Sequence, residues 1–363
     1  MKIATIVGAR PQFIKAATVS RAVIEKQAAG DVIEEFLIHT GQHYDYNMSN
    51  VFFEEMEIPT PRYNLGIGAC NQGAMTGRML EGIETILARE RPDWVLVYGD
   101  TNSTLAGALA AVKMHIPVAH VESGLRSFNR KMPEEINRIL TDHSSELLFT
   151  PTETATLQLQ KEGISKEKIC QVGDVMFDAA LFYHDKAKAS SSILKMLSLT
   201  PKHYILATIH RAENTDNRQR LTAIFSALIE IARETTVIVP LHPRTKKALE
   251  EAALIPDGNS GLIIIDPVSY LDMISLESEA SIIMTDSGGV QKEAFFFNVP
   301  CLTLRTETEW TELVTHGYNR LVPLDTPSII QSWKKEVPQG LDWNKPLYGK
   351  GKAAEEILNV LFR

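Results

Sequence analysis

Short, almost wholly apolar runs recur along the first half of the chain, at Lys2–Val7, Phe36–Ile38, Trp94–Tyr98, Val118–Val121 and Leu147–Phe149. Between them lie longer stretches with helical spacing of apolar residues, such as Ile14–Lys26 and Thr76–Arg89. After residue 200 the series resumes at Tyr204–Thr208, Val237–Val239, Leu262–Ile265, Ile282–Met284 and Cys301–Leu304. Continuous rather than alternating apolar runs fit strands buried on both faces, and their alternation with helices fits parallel sheets. Two such series predict an α/β protein of two doubly wound, Rossmann-like domains with right-handed βαβ connections.

The expected domains are 1–172 and 173–350. A helix over Asp174–Lys188 and the polar Ser190–Ser192 segment fall near the change. A last helix over 351–363 could pack on either domain and is placed back on the first. In doubly wound sheets ligands bind outside the carboxyl ends of the strands, so the expected site is a cleft between the two domains. Motifs at strand ends therefore matter most.

Composition narrows the classes. A chain of 363 residues suits two domains. With 44% hydrophobic and 23% charged residues it is neither disordered nor fibrous. Lysine and arginine number 37 against 45 acidic residues, a net charge of −8. That argues against nucleic acid or a membrane surface as partner and leaves room for a local basic pocket. The first apolar run stops at Gly8, too short for a signal-peptide core, and no run approaches the roughly 20 residues of a membrane span. Cys70, Cys170 and Cys301 are far apart, which gives neither zinc spacing nor a disulfide framework. A cytoplasmic location is expected. The ten histidines include no HExxH, so no metal is expected.

Each strand-end motif has a chemical and a bland reading. Gly8-Ala9-Arg10-Pro11 leads from the first strand into a helix, with Arg10 and Lys15 near its start. This is an anion site or a solvated capping turn. Walker and GxGxxG signatures are absent, so ATP and NAD are not indicated. Asp100, in Tyr98-Gly99-Asp100-Thr101, is a functional carboxylate or a helix N-cap. Glu122, in the apolar His120–Gly124 strand end, is a desolvated functional group or a buried partner of Arg126 or Arg130. Glu134 and Glu135 follow Pro133 at a helix start, which the helix dipole alone would favour.

In the second half His210, Arg211 and Glu213 leave a strand together, and His242-Pro243-Arg244 repeats the arrangement one strand later. A histidine there is a proton donor, a phosphate ligand or a satisfied core residue. Thr285-Asp286-Ser287-Gly288-Gly289 exposes backbone N–H groups at a helix start, which suits a diphosphate. Six residues after Ser287, Glu293 could accept hydrogen bonds from a ribose diol; the bland reading is a glycine turn without ligand.

Together, GARPQFIK, TGQHYD, GDTNST, HVESGLR, MPEEINR, HRAEN, LHPR and DSGGVQKE resemble the non-hydrolysing UDP-N-acetylglucosamine 2-epimerases, in that family's order from residue 8 to about 312. The resemblance implies a two-domain glycosyltransferase-B fold, a UDP-sugar substrate, no cofactor, no metal and a homodimer, although no interface signature is visible. It implies loss of UDP from C1 together with the C2 proton, then return of both to give the C2 epimer through a 2-acetamidoglucal. Asp100, Glu122 and Glu134 match the family's acid/base carboxylates and His210 its active-site histidine. Arg10, Arg211, His242, Ser287, Gly288, Gly289 and Glu293 match UDP-binding positions, and Lys15 a nearby cation.

Gln42-His43-Tyr44-Asp45 differs from the QHR of many bacterial members. Ala69 and Cys70 replace an Arg-Gln pair that serves a regulatory UDP-GlcNAc, the loop between Arg126 and Pro133 is shorter, and TERPE becomes Thr308-Glu309-Trp310-Thr311-Glu312. These features resemble the branch acting on UDP-2,3-diacetamido-2,3-dideoxyglucuronate and lead to the expectation of weak or absent activation by UDP-GlcNAc. The rival readings are a glycosyltransferase of the same fold, a hydrolysing epimerase and a nucleotide-sugar sensor.

Overall fold

The computed structural model describes residues 1–41, 57–68, 70–252, 261–335 and 340–362. Gln42-His43-Tyr44-Asp45, Ala69 and the side chain of Arg10 lie outside the description. The first apolar series forms β1 (Lys2–Val7), β2 (Glu34–His39), β4 (Trp94–Tyr98), β5 (Val118–Val121) and β6 (Leu147–Thr150), to which the structure adds β3 (Tyr63–Asn64) and β7 (Ile169–Gln171). The second forms β8 (Tyr204–Thr208), β9 (Thr236–Pro240), β10 (Leu262–Ile265), β11 (Ile282–Thr285) and β12 (Cys301–Thr303), to which the structure adds β13 (Asn319–Leu321). All pairings are parallel, in the orders β3-β2-β1-β4-β5-β6-β7 and β10-β9-β8-β11-β12-β13.

Both orders reverse beside their first strand, between β1 and β4 and between β8 and β11. At such a switch point the two following loops run to opposite faces and leave a crevice. The register puts the ends of the central strands side by side, Ile6 against Val97 and Thr208 against Thr285.

Eight helices position the residues discussed below: α1 (Arg10–Ala28), α2 (Gln72–Glu90), α3 (Asn102–Lys113), α4 (Pro133–Ser144), α5 (Val175–Ser190), α6 (Tyr270–Ser278), α7 (Gly288–Phe296) and α8 (Ala353–Leu361). Helix α3 consists largely of small residues and is buried along most of its length. A methyl group on its Gly107 would fall 2.7 Å from Ile6 Cδ1, so the helix lies against β1 and β4 as closely as a backbone allows. Met79, Ile83 and Leu87 of α2 close the same core with Ile6, Ile38 and Val97, all fully buried. Each such side chain contributes about 1.5–3 kcal/mol.

The chain divides into Met1–Ala179 with Pro346–Arg363, and Ala180–Lys345. The division thus falls inside α5 rather than at 172/173, and the chain returns to the first unit from Pro346. Two bonds fasten the returning segment: Asp174 N–H donates to Tyr348 O at 3.0 Å, and Ala354 N–H donates to Asp178 Oδ2 at 2.9 Å. Helix α8 then packs on α1. Among the described residues no helix is long and apolar enough to cross a membrane.

Candidate functional site

In the first unit β4 runs into Gly99 (φ +63°) and β5 into Glu122 (φ +68°). A left-handed backbone at a non-glycine residue costs about 1–3 kcal/mol and persists only when its surroundings hold it. Here the N–H groups of Glu122 and Ser123 both donate to Phe149 O, each at 3.1 Å. Lys15, from α1, forms an ion pair with Glu122, and both side chains are nearly buried. The pair sits over Gly99, where an added methyl group would be 3.1 Å from Lys15 Nζ and 3.8 Å from Glu122 Oε2. Arg126 is not the partner of Glu122. It binds Asp142 and Glu162, each at 2.7 Å.

Asp100 is not the cap of α3 either. Thr101 fills that role, its Oγ1 accepting from Thr104 N–H. The Asp100 carboxylate turns instead to Arg138, whose Nε and Nη2 donate to Oδ2 at 3.0 and 2.6 Å. Arg138 also donates from Nη1 to Glu135 Oε2 at 2.8 Å. Glu135 is buried and accepts from the N–H groups of Ser127 and Phe128 at 2.9 Å each. Burial works to raise its pKa, but those amides and Arg138 outweigh it and hold the carboxyl below its usual value. Glu134 stands beside it, exposed on the first turn of α4.

Gln12 organises the turn after β1. The Gln12 carboxamide oxygen accepts from the N–H groups of Gly8 and Ala9 at 2.8 and 3.0 Å. Its nitrogen donates to Tyr98 O at 2.9 Å and to Thr104 Oγ1 at 3.0 Å. Gln12 therefore fastens the β1 turn to the β4 turn.

In the second unit Asp286 organises the switch point. It is fully buried and accepts from the N–H groups of His210 and Arg211 and from Asn214 Nδ2, at 3.0–3.2 Å. Burial depresses the pKa of His210 below its usual value; the Asp286 carboxylate opposes this, and Arg211 and His242 add to it. The rings of His210 and His242 are 6.4 Å apart.

Ser287 caps α7, its Oγ accepting from Val290 N–H at 3.5 Å. A methyl group on Gly289 would lie 3.9 Å from both Glu293 Oε2 and Ser287 Oγ, and Glu293 Oε1 accepts from Tyr270 OH at 3.1 Å. A methyl group on Gly288 would overlap Glu309 Oε1. The Glu309 carboxylate is 2.9 Å from Arg305 Nη1 and 3.8 Å from Arg211 Nη2. A carboxylate flanked by two guanidinium groups thus occupies the helix start where the sequence predicts a diphosphate.

Two parallel sheets with matching switch points, one lined by carboxylates and a lysine and the other by a histidine and an anion-holding helix start, set the comparison with known proteins. The sequence profile of UDP-N-acetylglucosamine 2-epimerase matches residues 26–362. The chain belongs to that family. As a UDP-N-acetylglucosamine 2-epimerase family member it is an isomerase, a UDP-sugar 2-epimerase.

A UDP-N-acetylglucosamine 2-epimerase homolog from Methanococcus maripaludis is 53% identical over 364 residues, 99% of each chain. The UDP-2,3-diacetamido-2,3-dideoxy-D-glucuronate 2-epimerase of Pseudomonas aeruginosa is 51% identical over 364 residues, again 99% of each. The crystal structure of Methanocaldococcus jannaschii UDP-GlcNAc 2-epimerase in complex with UDP-GlcNAc and UDP superposes with a TM-score of 0.89 at 44% identity, covering 100% of this chain and 99% of that one. The fold of this epimerase is therefore of the glycosyltransferase-B type.

Of the residues expected from sequence, the structure brings Lys15 and Glu122 together over Gly99, with Asp100 next along the chain and bound to Arg138, and groups Ser287, Gly289 and Glu293 along α7. It adds Arg138, Asp286, Arg305 and Glu309. Asp286 was legible as the carboxylate that ends β11 just before Ser-Gly-Gly. Arg138 had only its place on the α4 turn with Glu135, since its second partner lies 38 residues away.

Proposed function

We propose that this epimerase interconverts UDP-GlcNAc and UDP-ManNAc without hydrolysis, by eliminating UDP across C1–C2 and adding it back. The observation that carries the reading is the Lys15–Glu122 pair over Gly99, with Asp100 on the adjoining turn. One of the carboxylates Asp100, Glu122 and Glu134 removes the C2 hydrogen as a proton. The C2–H electron pair becomes the C1=C2 bond, and the C1–O pair leaves with UDP. A second carboxylic acid returns a proton to the opposite face of C2 as the UDP oxygen re-forms its bond to C1. No electrons are gained or lost overall, and neither metal nor nicotinamide is needed.

Acid/base steps of this kind contribute about 10²–10⁴-fold, and charge stabilisation at the departing diphosphate adds to them. His210 assists UDP departure by donating from its ring. Arg10, Lys15, Arg211 and His242 supply the positive surroundings, Ser287, Gly288 and Gly289 the backbone donors, and Glu293 the ribose contact. Diphosphate binding then displaces the Glu309 carboxylate from the start of α7.

The 51% identity to the P. aeruginosa enzyme favours a second substrate reading, the same chemistry on UDP-2,3-diacetamido-2,3-dideoxyglucuronate. In either case the enzyme works as a cytoplasmic homodimer that supplies precursors for surface polysaccharide. The test is to incubate each UDP-sugar with the enzyme and compare kcat/KM by NMR. UDP-ManNAc formation without free sugar supports the first reading. Turnover of the diacetamido-uronate alone moves the substrate to the second, and accumulating UDP with a free sugar replaces both by hydrolysis.

A further inference from the structure

We propose that His120 and Asp142 are positioning residues that fix the separation of the turns carrying Asp100 and Glu122. The proposal rests on the reading that those carboxylates handle the C2 proton.

His120 projects from β5 with its side chain fully buried. Its Nε2 is 2.7 Å from Gly99 O, the carbonyl immediately before Asp100. Its Nδ1 is 2.7 Å from Asp142 Oδ1, and Asp142 is equally buried on α4. The other oxygen, Oδ2, accepts from Gly124 N–H at 3.1 Å and from Arg126 Nη1 at 2.7 Å. Gly124 lies two residues after Glu122. One imidazole–carboxylate bridge therefore joins the backbone on one side of Asp100 to the backbone on the other side of Glu122.

The hydrogens can be counted. A carbonyl oxygen only accepts, so the ring donates from Nε2. Asp142 already receives donors from Gly124 and Arg126, as a carboxylate does, so the ring also donates from Nδ1. Charge-assisted bonds in a buried setting are short and strong. Arg126 extends the bridge through a bidentate pair with Glu162, at 2.8 and 2.7 Å.

Such reinforcement has a purpose here. Glu122 holds a left-handed backbone, φ +68°, between turns at Gly99 and Gly124, and a strained non-glycine position relaxes unless held. Two carboxylates that work on opposite faces of one carbon need a fixed spacing, and a displacement of about 1 Å can cost roughly 10²-fold in rate. A histidine serving only as core filling would need neither acceptor.

The test compares wild type, His120→Asn and His120→Gln, each as the full chain with its UDP-sugar in D2O. A Gln amide can still reach Gly99 O, whereas an Asn amide reaches only toward Asp142. The readout is the ratio of C2 deuterium in recovered substrate to deuterium in the epimer. His120→Asn is expected to shift that ratio at least fivefold toward exchange without inversion. His120→Gln should restore most of it, with UDP affinity unchanged within twofold in both. Equal loss of exchange and inversion, leaving the ratio at the wild-type value, overturns the proposal.

Should the variants fail to fold, ¹⁵N-histidine-labelled wild type decides the matter. Slowly exchanging protons on both His120 ring nitrogens support the bridge, and a proton on one nitrogen only overturns it. Wild type that exchanges no C2 hydrogen from either UDP-sugar would refute the functional reading itself, a result separate from both arms.

Discussion

Lys15 and Glu122 form their ion pair directly above the α-carbon of Gly99, so two elements distant in sequence meet over a residue that has no side chain. Gly99→Ala puts a methyl group 3.1 Å from Lys15 Nζ on a backbone with φ +63°. The left-handed conformation alone costs an L-residue about 1–2 kcal/mol. The expected outcome is a comparable loss of unfolding free energy in urea and a fall in kcat of about 10²-fold from displacing the pair. UDP affinity should stay within twofold, because the change leaves the proposed diphosphate donors Ser287, Gly288 and Gly289 untouched. Wild-type kcat in this variant would show that the pair need not sit where it does.

Arg138 links Asp100 to the buried Glu135. Arg138→Met leaves the Glu135 carboxylate with its amide donors but without its cation. Removing one partner of a buried pair costs about 3–5 kcal/mol, and the amide donors of Ser127 and Phe128 place this site at the lower end. Denaturant unfolding should register that loss, and epimerisation should fall at least tenfold because Asp100 is no longer held. An equally stable, equally active variant would remove Arg138 from the site.

Glu309 lies where a methyl group on Gly288 would have to go. Gly288→Ala should therefore displace the carboxylate and obstruct the same helix start to a diphosphate. Calorimetric titration with UDP is expected to show at least tenfold weaker binding, with unfolding little changed because Gly288 has an ordinary backbone angle. Unaltered affinity would move the diphosphate elsewhere.

Asp178 connects acidity to the return of the C-terminal helix. Burial pushes its pKa up from 3.8 to about 6, against the N–H groups of Ala354 and Ala353. The folded state thus prefers the neutral acid, so this contribution is complete below about pH 4 and is lost as pH rises through 6. At 1.36 kcal/mol per pH unit the loss is about 2–3 kcal/mol. Asp178→Asn keeps an acceptor for Ala354 and cannot ionise. Its melting temperature should rise relative to wild type between pH 5 and 7.5. A constant offset at every pH would refute this account.

How much of this was legible in sequence depends on which forces decide each feature. Strands β1, β4, β5, β8 and β10 begin and end where the apolar runs do; the inner strands β1, β4, β5 and β8 are covered on both faces and leave a continuous signal, while the edge strand β10 is legible from its all-aliphatic Leu262–Ile265 run. The two- and three-residue edge strands β3, β7 and β13 leave none. The unit boundary escaped because α5 continues through it without a break in pattern, and only Pro346 onward reveals the return.

The carboxylates were visible as chemistry at strand ends, but their partners were not. Asp100 reads as a possible cap because the spacing does not show that Thr101 takes that place, and the partner of Glu122 comes from 107 residues earlier, where spacing carries no information. Gln12 looked like an ordinary helix residue. Its role as a clip between two turns exists only in three dimensions.

Glu122 is proposed to take part in moving the C2 proton. The most direct measurement is proton NMR of UDP-GlcNAc, and of the diacetamido-uronate, in D2O with wild type and with Glu122→Gln. Wild type should place deuterium at C2 and produce the epimer. Glu122→Gln should lose both by at least 10³-fold while binding UDP nearly as well. Retained C2 exchange in Glu122→Gln would contradict the account.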